Sequence, residues 1–256
     1  MKLELEGTRA LVTGGSRGIG RSTVALLAQE GCSVEFCARR APAVRSTEAE
    51  LTAAGHSVEG SAVDLIDKED VVEWATNAVN RLGGLDIVVA NASAMATGDT
   101  EEAWQQNYRV EIASLREILR IAHPYLKDAV KRRGDAAVVA IGSTAARRAE
   151  NGDAYGAVKA ALARTVKGLS RSLIKDGIRA NMVSPGPIFS EDGVWGNVKR
   201  EDPKGFKEKL AHMPLGRMGK PEEVANAVVF LCSPRARFIA GSNIVVDSGR
   251  SDHPQY

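Results

Sequence analysis

Cysteine is scarce in this chain of 256 residues: it occurs at Cys32, Cys37 and Cys232, with no pair at CxxC spacing. Such a pattern argues against a disulfide framework and against a zinc site, and it fits a reducing compartment. Charge of one sign is equally lacking, because 34 basic and 32 acidic side chains leave a formal net charge of +2. This balance gives no electrostatic reason to expect nucleic acid or an anionic membrane surface as a partner.

Long hydrophobic runs and flexible linkers are lacking as well. The first residues, MKLELEGTRALVTGG, carry charges before a short apolar run, whereas a membrane span needs about 20 consecutive apolar residues. We therefore expect no signal peptide, no membrane span and a cytoplasmic location. No stretch rich in Pro, Gly or Ser divides the chain, so one domain is predicted over 1–256. His123 and His212 have no companion ligands in the sequence, and we expect no metal.

The chain does show a regular alternation of short apolar runs with longer stretches of helical period. Strands are predicted at 8–14, 33–38, 56–64, 85–92, 136–143, 178–184 and 242–249. Helices are predicted at 18–31, 42–55, 67–84, 101–132, 153–176 and from about 221, with a less regular region from 185 to about 220. Because helical crossovers connect parallel strands, the expected fold is α/β. It is a single-domain, Rossmann-like, doubly wound parallel sheet of about seven strands with helices on both faces.

A glycine-rich loop, TGGSRGIG (13–20), joins the first predicted strand to the first predicted helix. Gly14 permits a tight turn, Gly18 lets the backbone approach a pyrophosphate, and Gly20 lets the helix pack closely on the strand. The phosphates would lie at the helix N-terminus, where free N–H groups and the helix dipole favour anions. The alternative is a purely structural glycine turn, which the position between strand and helix disfavours.

This loop, with the motifs that follow it, resembles the short-chain dehydrogenase/reductase family over nearly the whole chain. TGGSRGIG, SPGPI and PLGRMGKPEEVANAVVFLCSP are most similar to the 3-oxoacyl-[acyl-carrier-protein] reductase-like members. The resemblance implies an oxidoreductase that transfers hydride between a nicotinamide cofactor and a ketone or secondary alcohol. It also implies a small-molecule carbonyl or alcohol substrate and a homo-oligomer, either tetramer or dimer.

Charge at the end of the second predicted strand distinguishes the two nicotinamide cofactors. Family members that use NAD carry an acidic residue there, which binds the ribose 2′-OH. This chain has Ala38 at that position, followed by Arg39 and Arg40, and a further candidate, Arg17, lies in the glycine loop. Guanidinium groups attract a 2′-phosphate, so NADP(H) is predicted in preference to NAD(H). Solvated arginines are the alternative, which is strongest for Arg40.

The resemblance implies further contacts with the cofactor. Asp64 and Leu65 would contact the adenine, and Asn91 would hold a strand-end turn near the adenosine ribose. Most family members have glycine where this chain has Ser93, a change that would reshape the nicotinamide end of the cleft. The full set of cofactor-binding candidates is Gly14, Ser16, Arg17, Gly18, Ile19, Gly20, Arg39, Arg40, Asp64, Leu65, Asn91, Ala92, Ser93, Tyr155, Lys159, Pro185, Gly186, Ile188 and Ser190.

The run DAYGAVKAAL (153–162) places Tyr155 and Lys159 four positions apart. Residues at this spacing share one helix face, with Cβ atoms about 5–6 Å apart. A free tyrosine has a pKa near 10 and is a poor base at neutral pH, but a nearby lysine cation stabilises its phenolate. Tyr155 would therefore act as general acid/base and protonate a carbonyl oxygen during reduction. The alternative, a packed tyrosine beside a solvated lysine, is disfavoured by the position after a strand ending in Ser143.

In the family pattern Ser143 donates a hydrogen bond to the same carbonyl oxygen, and Lys159 binds the nicotinamide ribose hydroxyls. Two departures from that pattern stand out. The step from Ser143 to Tyr155 is twelve positions, where the family usually has thirteen. Seven positions after Trp104 stands Glu111, where the family usually has an asparagine that orders a water near the lysine.

We predict that Glu111 takes over the proton relay and alters the pH profile, which makes it the fourth catalytic candidate. A carboxylate there would stabilise Lys159 as a cation and partly cancel its effect on Tyr155. Two alternatives remain open: Asn107 substitutes for the asparagine, or Glu111 is a solvent-facing helix residue.

Residues 189–216 are predicted to form a lid that selects the substrate, since loops at strand C-termini hold ligands in such folds. Within the lid, Trp195, Phe206 and Met213 are candidates for an apolar wall, although packing of amphipathic helices is the commoner role of such residues. Arg147 and Arg148 would attract an acidic substrate. The alternative function is a catalytically quiet NADP-binding regulatory protein on the same fold.

Overall fold

The computed structural model describes residues 2–147 and 153–252. Its strands form one parallel sheet of seven in the order β3-β2-β1-β4-β5-β6-β7. They are β1 (Arg9–Thr13), β2 (Ser33–Ala38), β3 (Val58–Ala62), β4 (Ile87–Ala90), β5 (Ala136–Ile141), β6 (Ile178–Pro185) and β7 (Asn243–Val246). The helices are α1 (Gly18–Gln29), α2 (Ala41–Ala53), α3 (Lys68–Leu82), α4 (Glu101–Tyr108), α5 (Ser114–Arg133), α6 (Ala154–Leu173), α7 (Val194–Glu201), α8 (Pro203–Ala211) and α9 (Pro221–Cys232).

Each central strand is buried on both faces. Leu11 of β1 packs into one hydrophobic cluster with α3, α5 and α6, whereas its neighbour Val12 packs into a second cluster with α1, α2 and α9. Val138 and Val139 of β5 divide in the same way, because successive strand residues point to opposite faces. The continuous apolar runs of the sequence are therefore explained, and the doubly wound α/β fold is confirmed.

The strand order reverses between β1 and β4, which pair directly with Val12 beside Val89. From β1 the chain winds outward through β2 and β3, and from β4 it winds the other way to β7. In open α/β sheets, ligands bind in the crevice beyond the carboxyl ends of the strands at such a reversal. The end of β1 is Thr13 and the end of β4 is Ala90, so the crevice lies against the glycine-rich loop.

The region from 185 to about 220, predicted to be less regular, contains two helices, α7 and α8. That expectation was wrong, and local capping explains why. The Asp202 side chain accepts a hydrogen bond from the Gly205 N–H, and Pro203 occupies the first turn of α8. Both features are signals for the start of a helix. The glycines nearby in the sequence disfavour a helix and led to the prediction of a less regular region.

The helix predicted over 101–132 is divided. A π-helical turn at Arg109–Ala113 separates α4 from α5, and Glu111 lies within it. Such turns are rare and frequently occur at functional sites. Within residues 2–147 and 153–252, no helix combines the length and the apolar character needed to cross a bilayer.

Candidate active site

The glycine-rich loop has the backbone that its sequence predicts. Gly14 and Gly18 adopt φ values of +70° and +52°, which L side chains rarely tolerate. A Cβ on Gly20 would lie 2.1 Å from the Gly14 carbonyl oxygen and 2.3 Å from Asn91 Nδ2. A Cβ on Gly18 would meet no described atom within 4 Å. Gly20 therefore permits close packing, and Gly18 leaves its backbone open to an approaching group.

The N-terminus of α1 is suited to an anion. Its N-cap residue, Arg17, makes no side-chain capping bond, and its first turn carries no acidic residue. By contrast, Asp67 caps α3 by accepting from Asp70 N, and the first turn of that helix holds two further acids. Unsatisfied N–H groups and the helix dipole favour a phosphate at such an end. With the open side of Gly18, this arrangement fits the pyrophosphate of a dinucleotide.

Asn91 joins the ends of β1 and β4. Its Nδ2 donates to the carbonyls of Thr13 and Gly14 at 2.9 and 3.1 Å. In return, Thr13 Oγ1 accepts from the backbone N–H groups of Asn91 and Ala92, each at 3.0 Å. The residues predicted to lie near the adenosine ribose thus hold the strand-end turn directly against the glycine loop.

The arginines predicted to bind a 2′-phosphate lie in the glycine loop and directly after β2. Arg17, Arg39 and Arg40 are all exposed, and Arg17 Nη1 donates to the Asp192 carbonyl at 3.0 Å. Asp64 Oδ1 accepts from the Ile66 N–H at 3.0 Å. In the same region Leu65 is buried, Ser16 and Ile19 are half-buried, and the Ser16 carbonyl accepts from Thr47 Oγ1.

The end of β5 meets the start of α6. Asp153 caps α6 by accepting from Gly156 N at 2.7 Å, which fixes the turn that carries Tyr155. Lys159 Nζ lies 5.7 Å from the centroid of the Tyr155 ring. The same ammonium donates to the Ile141 carbonyl at 2.8 Å, two residues before Ser143, whose Oγ accepts from Ala145 N at 3.1 Å. The structure therefore joins the helix of the tyrosine and lysine to the strand end of the serine.

The loop between Ser143 and Tyr155 is described only in part. Arg147 is exposed, whereas Arg148 lies outside the described residues. The effect of the shortened spacing on the loop itself therefore remains a prediction.

Glu111 is the fourth residue of this cluster. Its Oε2 lies 2.5 Å from Lys159 Nζ, and the two side chains are 1% and 2% exposed. Ser93 Oγ donates to the other carboxylate oxygen, Oε1, at 2.7 Å. A solvent-facing Glu111 is therefore excluded. Asn107 is buried but occupied elsewhere: its side chain exchanges two hydrogen bonds with the backbone of Ala96.

The residues predicted to line the nicotinamide lie where β6 leaves the sheet. Pro185 is the last residue of β6, Gly186 N donates to the Val246 carbonyl at 3.0 Å, and Ile188 pairs with Gly219 in an isolated parallel bridge. Ser190 is half-buried at the start of the lid. A Cβ on Gly186 would lie 2.7 Å from Asp247 Cβ, so this turn also depends on glycine.

The three residues predicted to form an apolar wall have different surroundings. Phe206 packs against Phe189, with ring centroids 5.7 Å apart, and Lys199 Nζ lies 5.0 Å from the Phe189 centroid. Met213 is buried and Trp195 is half-buried on α7. Sequence reasoning missed Phe189, although an aromatic residue directly after SPGPI was a usable signal.

No group of three or more His, Cys, Asp or Glu in the described ranges could hold a metal ion. His123 instead contacts Asp176, with Nε2 and Oδ2 2.9 Å apart.

Comparison with known proteins identifies relatives along nearly the whole chain. The family model described as enoyl-(acyl carrier protein) reductase matches residues 14–251. The isoepoxydon dehydrogenase of Penicillium expansum is 35% identical over 96% of this chain and 95% of its own length. The crystal structure of L-sorbose reductase from Gluconobacter frateurii, complexed with NADPH and L-sorbose, superposes with a TM-score of 0.89 at 29% identity, covering 99% of this chain and 100% of that one.

A third similar protein is a short chain oxidoreductase from Pseudomonas aeruginosa, whose NADPH-bound structure is described as containing an atypical catalytic center. It is 34% identical to this chain, with a TM-score of 0.85, and covers 96% of this chain and 98% of its own.

The sheet, the glycine loop and the cluster at the end of β5 define a nicotinamide-dinucleotide oxidoreductase of the α/β class. The chain belongs to the short-chain dehydrogenase/reductase family, and it is an enzyme of that family rather than a fold-level relative. The resemblance inferred from its motifs is confirmed.

Proposed function

We propose that this enzyme is an NADP(H)-dependent carbonyl reductase or alcohol dehydrogenase, in which Tyr155 exchanges a proton with the substrate oxygen. The observation that carries the proposal is the cluster of Tyr155, Lys159 and Ser143 at the carboxyl end of β5. There Lys159 Nζ lies 5.7 Å from the tyrosine ring and bonds to the backbone just before the serine. The substrate class is a ketone and its secondary alcohol.

The residues divide the reaction between them. When bound, the nicotinamide cofactor supplies the hydride in reduction and accepts it in oxidation. Tyr155 donates its phenolic proton to the carbonyl oxygen during reduction, and Ser143 Oγ–H hydrogen-bonds to the same oxygen as its negative charge develops. Lys159, held by the Ile141 carbonyl and by Glu111, keeps a positive charge beside the phenol. In oxidation the phenolate accepts the proton of the alcohol.

NADP(H) is the proposed cofactor, with NAD(H) disfavoured. Arg17, Arg39 and Arg40 are exposed around the end of β2, and no acidic residue follows Ala38 there. A 2′-phosphate would find guanidinium groups, whereas a ribose 2′-OH would lack its usual carboxylate partner. Two similar proteins of known structure were solved with NADPH. The residues holding the rest of the cofactor are the predicted set, from Gly14 to Ser190.

The remaining expectations are part of the same proposal. The chain acts as one domain over 1–256, with residues 189–216 as the lid. Cys32, Cys37 and Cys232 are all free and buried, which is consistent with a cytoplasmic enzyme. The homo-oligomer is proposed from the family resemblance.

The decisive assay follows NADPH oxidation with a panel of ketones that includes 3-oxoacyl thioesters, sugars and cyclic enones. The proposal expects turnover of at least one ketone, lost in Tyr155→Phe and retained in the control variant Tyr108→Phe, which changes an exposed tyrosine on α4. Tight NADPH binding without turnover of any carbonyl would instead support the quiet regulatory protein.

A further inference from the structure

The two positions at which this chain departs from the usual family residues, Ser93 and Glu111, contact each other. They are 18 positions apart in sequence and lie on different elements, one after β4 and the other in the π-helical turn. Together with Lys159 they form a continuous series of side-chain contacts. The Ser93 hydroxyl donates to Glu111 Oε1, and Glu111 Oε2 contacts the Lys159 ammonium. The two residues therefore act on Lys159 as one connected group.

We propose that Ser93 and Glu111 act as a positioning pair that holds a compensating negative charge against Lys159 and thereby extends carbonyl reduction to higher pH. The proposal rests on the function proposed above. Reduction needs Tyr155 as a phenol, since the phenol is the proton donor. A carboxylate beside Lys159 stabilises the protonated forms of both groups, because it attracts the ammonium and opposes a negative charge on the phenol.

Burial makes this charge effective. The Lys159 and Glu111 side chains are 2% and 1% exposed, so water and salt screen their interaction little. The Lys159 ammonium donates a hydrogen bond to the Ile141 carbonyl and makes an ionic contact with Glu111 Oε2. The Lys159 ammonium is the one close partner of Glu111 Oε2 in the described chain. The carboxylate therefore acts mainly through its charge on Lys159.

Ser93 determines which way the carboxylate faces. Its hydroxyl donates to Oε1 at 2.7 Å and accepts from Met95 N at 3.3 Å. Because Oε1 is engaged in this way, Oε2 is directed at Lys159. Ser93 is half-buried. It therefore lies at the outer end of the series Ser93–Glu111–Lys159, and Lys159 lies at the buried end.

The groups around the pair come from four elements. The Tyr155 ring faces Lys159 from α6, the Ile141 carbonyl from β5, Ser93 from the segment after β4, and Glu111 from the π-helical turn. Other nearby charges are engaged or exposed: Asp153 caps α6, whereas Arg109 and Arg147 are exposed. Glu111 is thus the described carboxylate in contact with Lys159.

The first test is the pH dependence of kcat/KM for ketone reduction. Glu111→Gln retains the shape and removes the charge, and we expect the alkaline fall in rate to move to lower pH. Ser93→Ala retains the charge but releases Glu111 Oε1, so its alkaline fall should move in the same direction by a smaller amount. The control Glu117→Gln, which changes a partly exposed acid on α5, should leave the profile unchanged.

The second test needs no turnover. In cofactor-free protein with isotope-labelled tyrosine, the NMR signal absent from Tyr155→Phe is assigned to Tyr155 and followed as the pH is raised. We expect its first alkaline transition at lower pH in Glu111→Gln than in wild type. If no ketone is turned over, the proposed function fails but this titration still tests the charge pair.

A variant that restores the usual family residues provides a second measurement in case Glu111→Gln does not fold. The double variant Ser93→Gly/Glu111→Asn is expected to fold, to reduce the same ketone and to show the same downward movement of the alkaline fall. A folded double variant whose rate profile and tyrosine titration both coincide with wild type would overturn the proposal.

Discussion

Lys159 and Glu111 form a buried ion pair, with Nζ 2.5 Å from Oε2 and neither side chain more than 2% exposed. Removing one partner of such a pair leaves an uncompensated charge away from water. The contact therefore bears on the stability of the fold, and its ammonium lies 5.7 Å from the centroid of the Tyr155 ring.

The pair predicts a strong non-additivity in stability. Lys159→Met should lower the free energy of unfolding by about 3–5 kcal/mol, because it leaves the Glu111 carboxylate unpaired. Lys159→Met/Glu111→Gln should recover most of that loss, since no unpaired charge remains. Denaturant unfolding measures the free energy of unfolding of the single and the double variant. The control is Lys167→Met, which changes an exposed lysine two turns further along α6. Losses that simply add would show that the contact is not an ion pair.

The arginines predict cofactor selectivity. Arg39→Ala should weaken NADPH binding about 10-fold or more, as expected for a lost hydrogen bond between charged groups, and should leave NADH binding nearly unchanged. Arg17→Ala should do the same, although this residue also contacts the Asp192 carbonyl. Fluorescence titration with each dinucleotide measures the difference, and Arg171→Ala on α6 is the control. Equal losses for NADPH and NADH would place the 2′-phosphate elsewhere.

Substitutions of Gly18 and Gly20, two glycines of the same loop, should have different effects on folding and on cofactor binding. Gly20→Ala should unfold the protein or shift its Tm down steeply, because its Cβ would lie 2.1 Å from a backbone oxygen. Gly18→Ala should remain folded with a modest loss in Tm, since its Cβ meets open space but its φ of +52° strains an L side chain. It should lose most of its affinity for NADPH. Thermal unfolding and cofactor titration separate the two, with Gly55→Ala, also at positive φ in open space, as the control. A Gly18→Ala protein that binds NADPH normally would contradict the proposed phosphate site.

Glu223 predicts a pH-dependent contribution to stability. Hydrogen bonds from Arg217 and from the Lys220 N–H lower the pKa of Glu223 from 4.5 to about 2. An acid with a lowered pKa stabilises the fold above its usual pKa, and that contribution disappears as the pH falls toward the folded value. Glu223→Gln should thus have a lower Tm than wild type at neutral pH, and the gap should narrow below about pH 4.5.

Thermal unfolding across this pH range measures the gap, with the neighbouring Glu222→Gln as the control. A constant difference between wild type and Glu223→Gln would show that the Arg217 contact is not formed in solution.

Much of the fold was predictable because its signals are local. Apolar runs and glycine positions gave the seven strands within a few residues, and the strand–helix alternation gave the parallel sheet. Tyr155 and Lys159 could be paired from sequence, since helix geometry fixes residues four positions apart. The glycine loop could be placed for the same reason, because its strand and helix are adjacent in the chain.

The parts that could not be predicted depend on contacts between distant segments. The residues next to Ser93 in sequence do not indicate that its hydroxyl contacts Glu111. The π-helical turn that carries Glu111 has no distinctive amino-acid composition by which it could be recognised. Arg17 reaches Asp192 across 175 positions. Phe189, after β6, and Phe206, on α8, likewise meet although they belong to different parts of the chain. Such pairs are decided by tertiary packing, on which periodicity carries no information.

The most direct test of the whole account is the rate of NADPH oxidation by a ketone substrate in Tyr155→Phe, measured beside its affinity for NADPH. The account predicts that the variant binds NADPH as wild type does but loses at least about 100-fold in kcat, the contribution of a positioned proton donor. A Tyr155→Phe enzyme that keeps the wild-type rate at saturating ketone would contradict it.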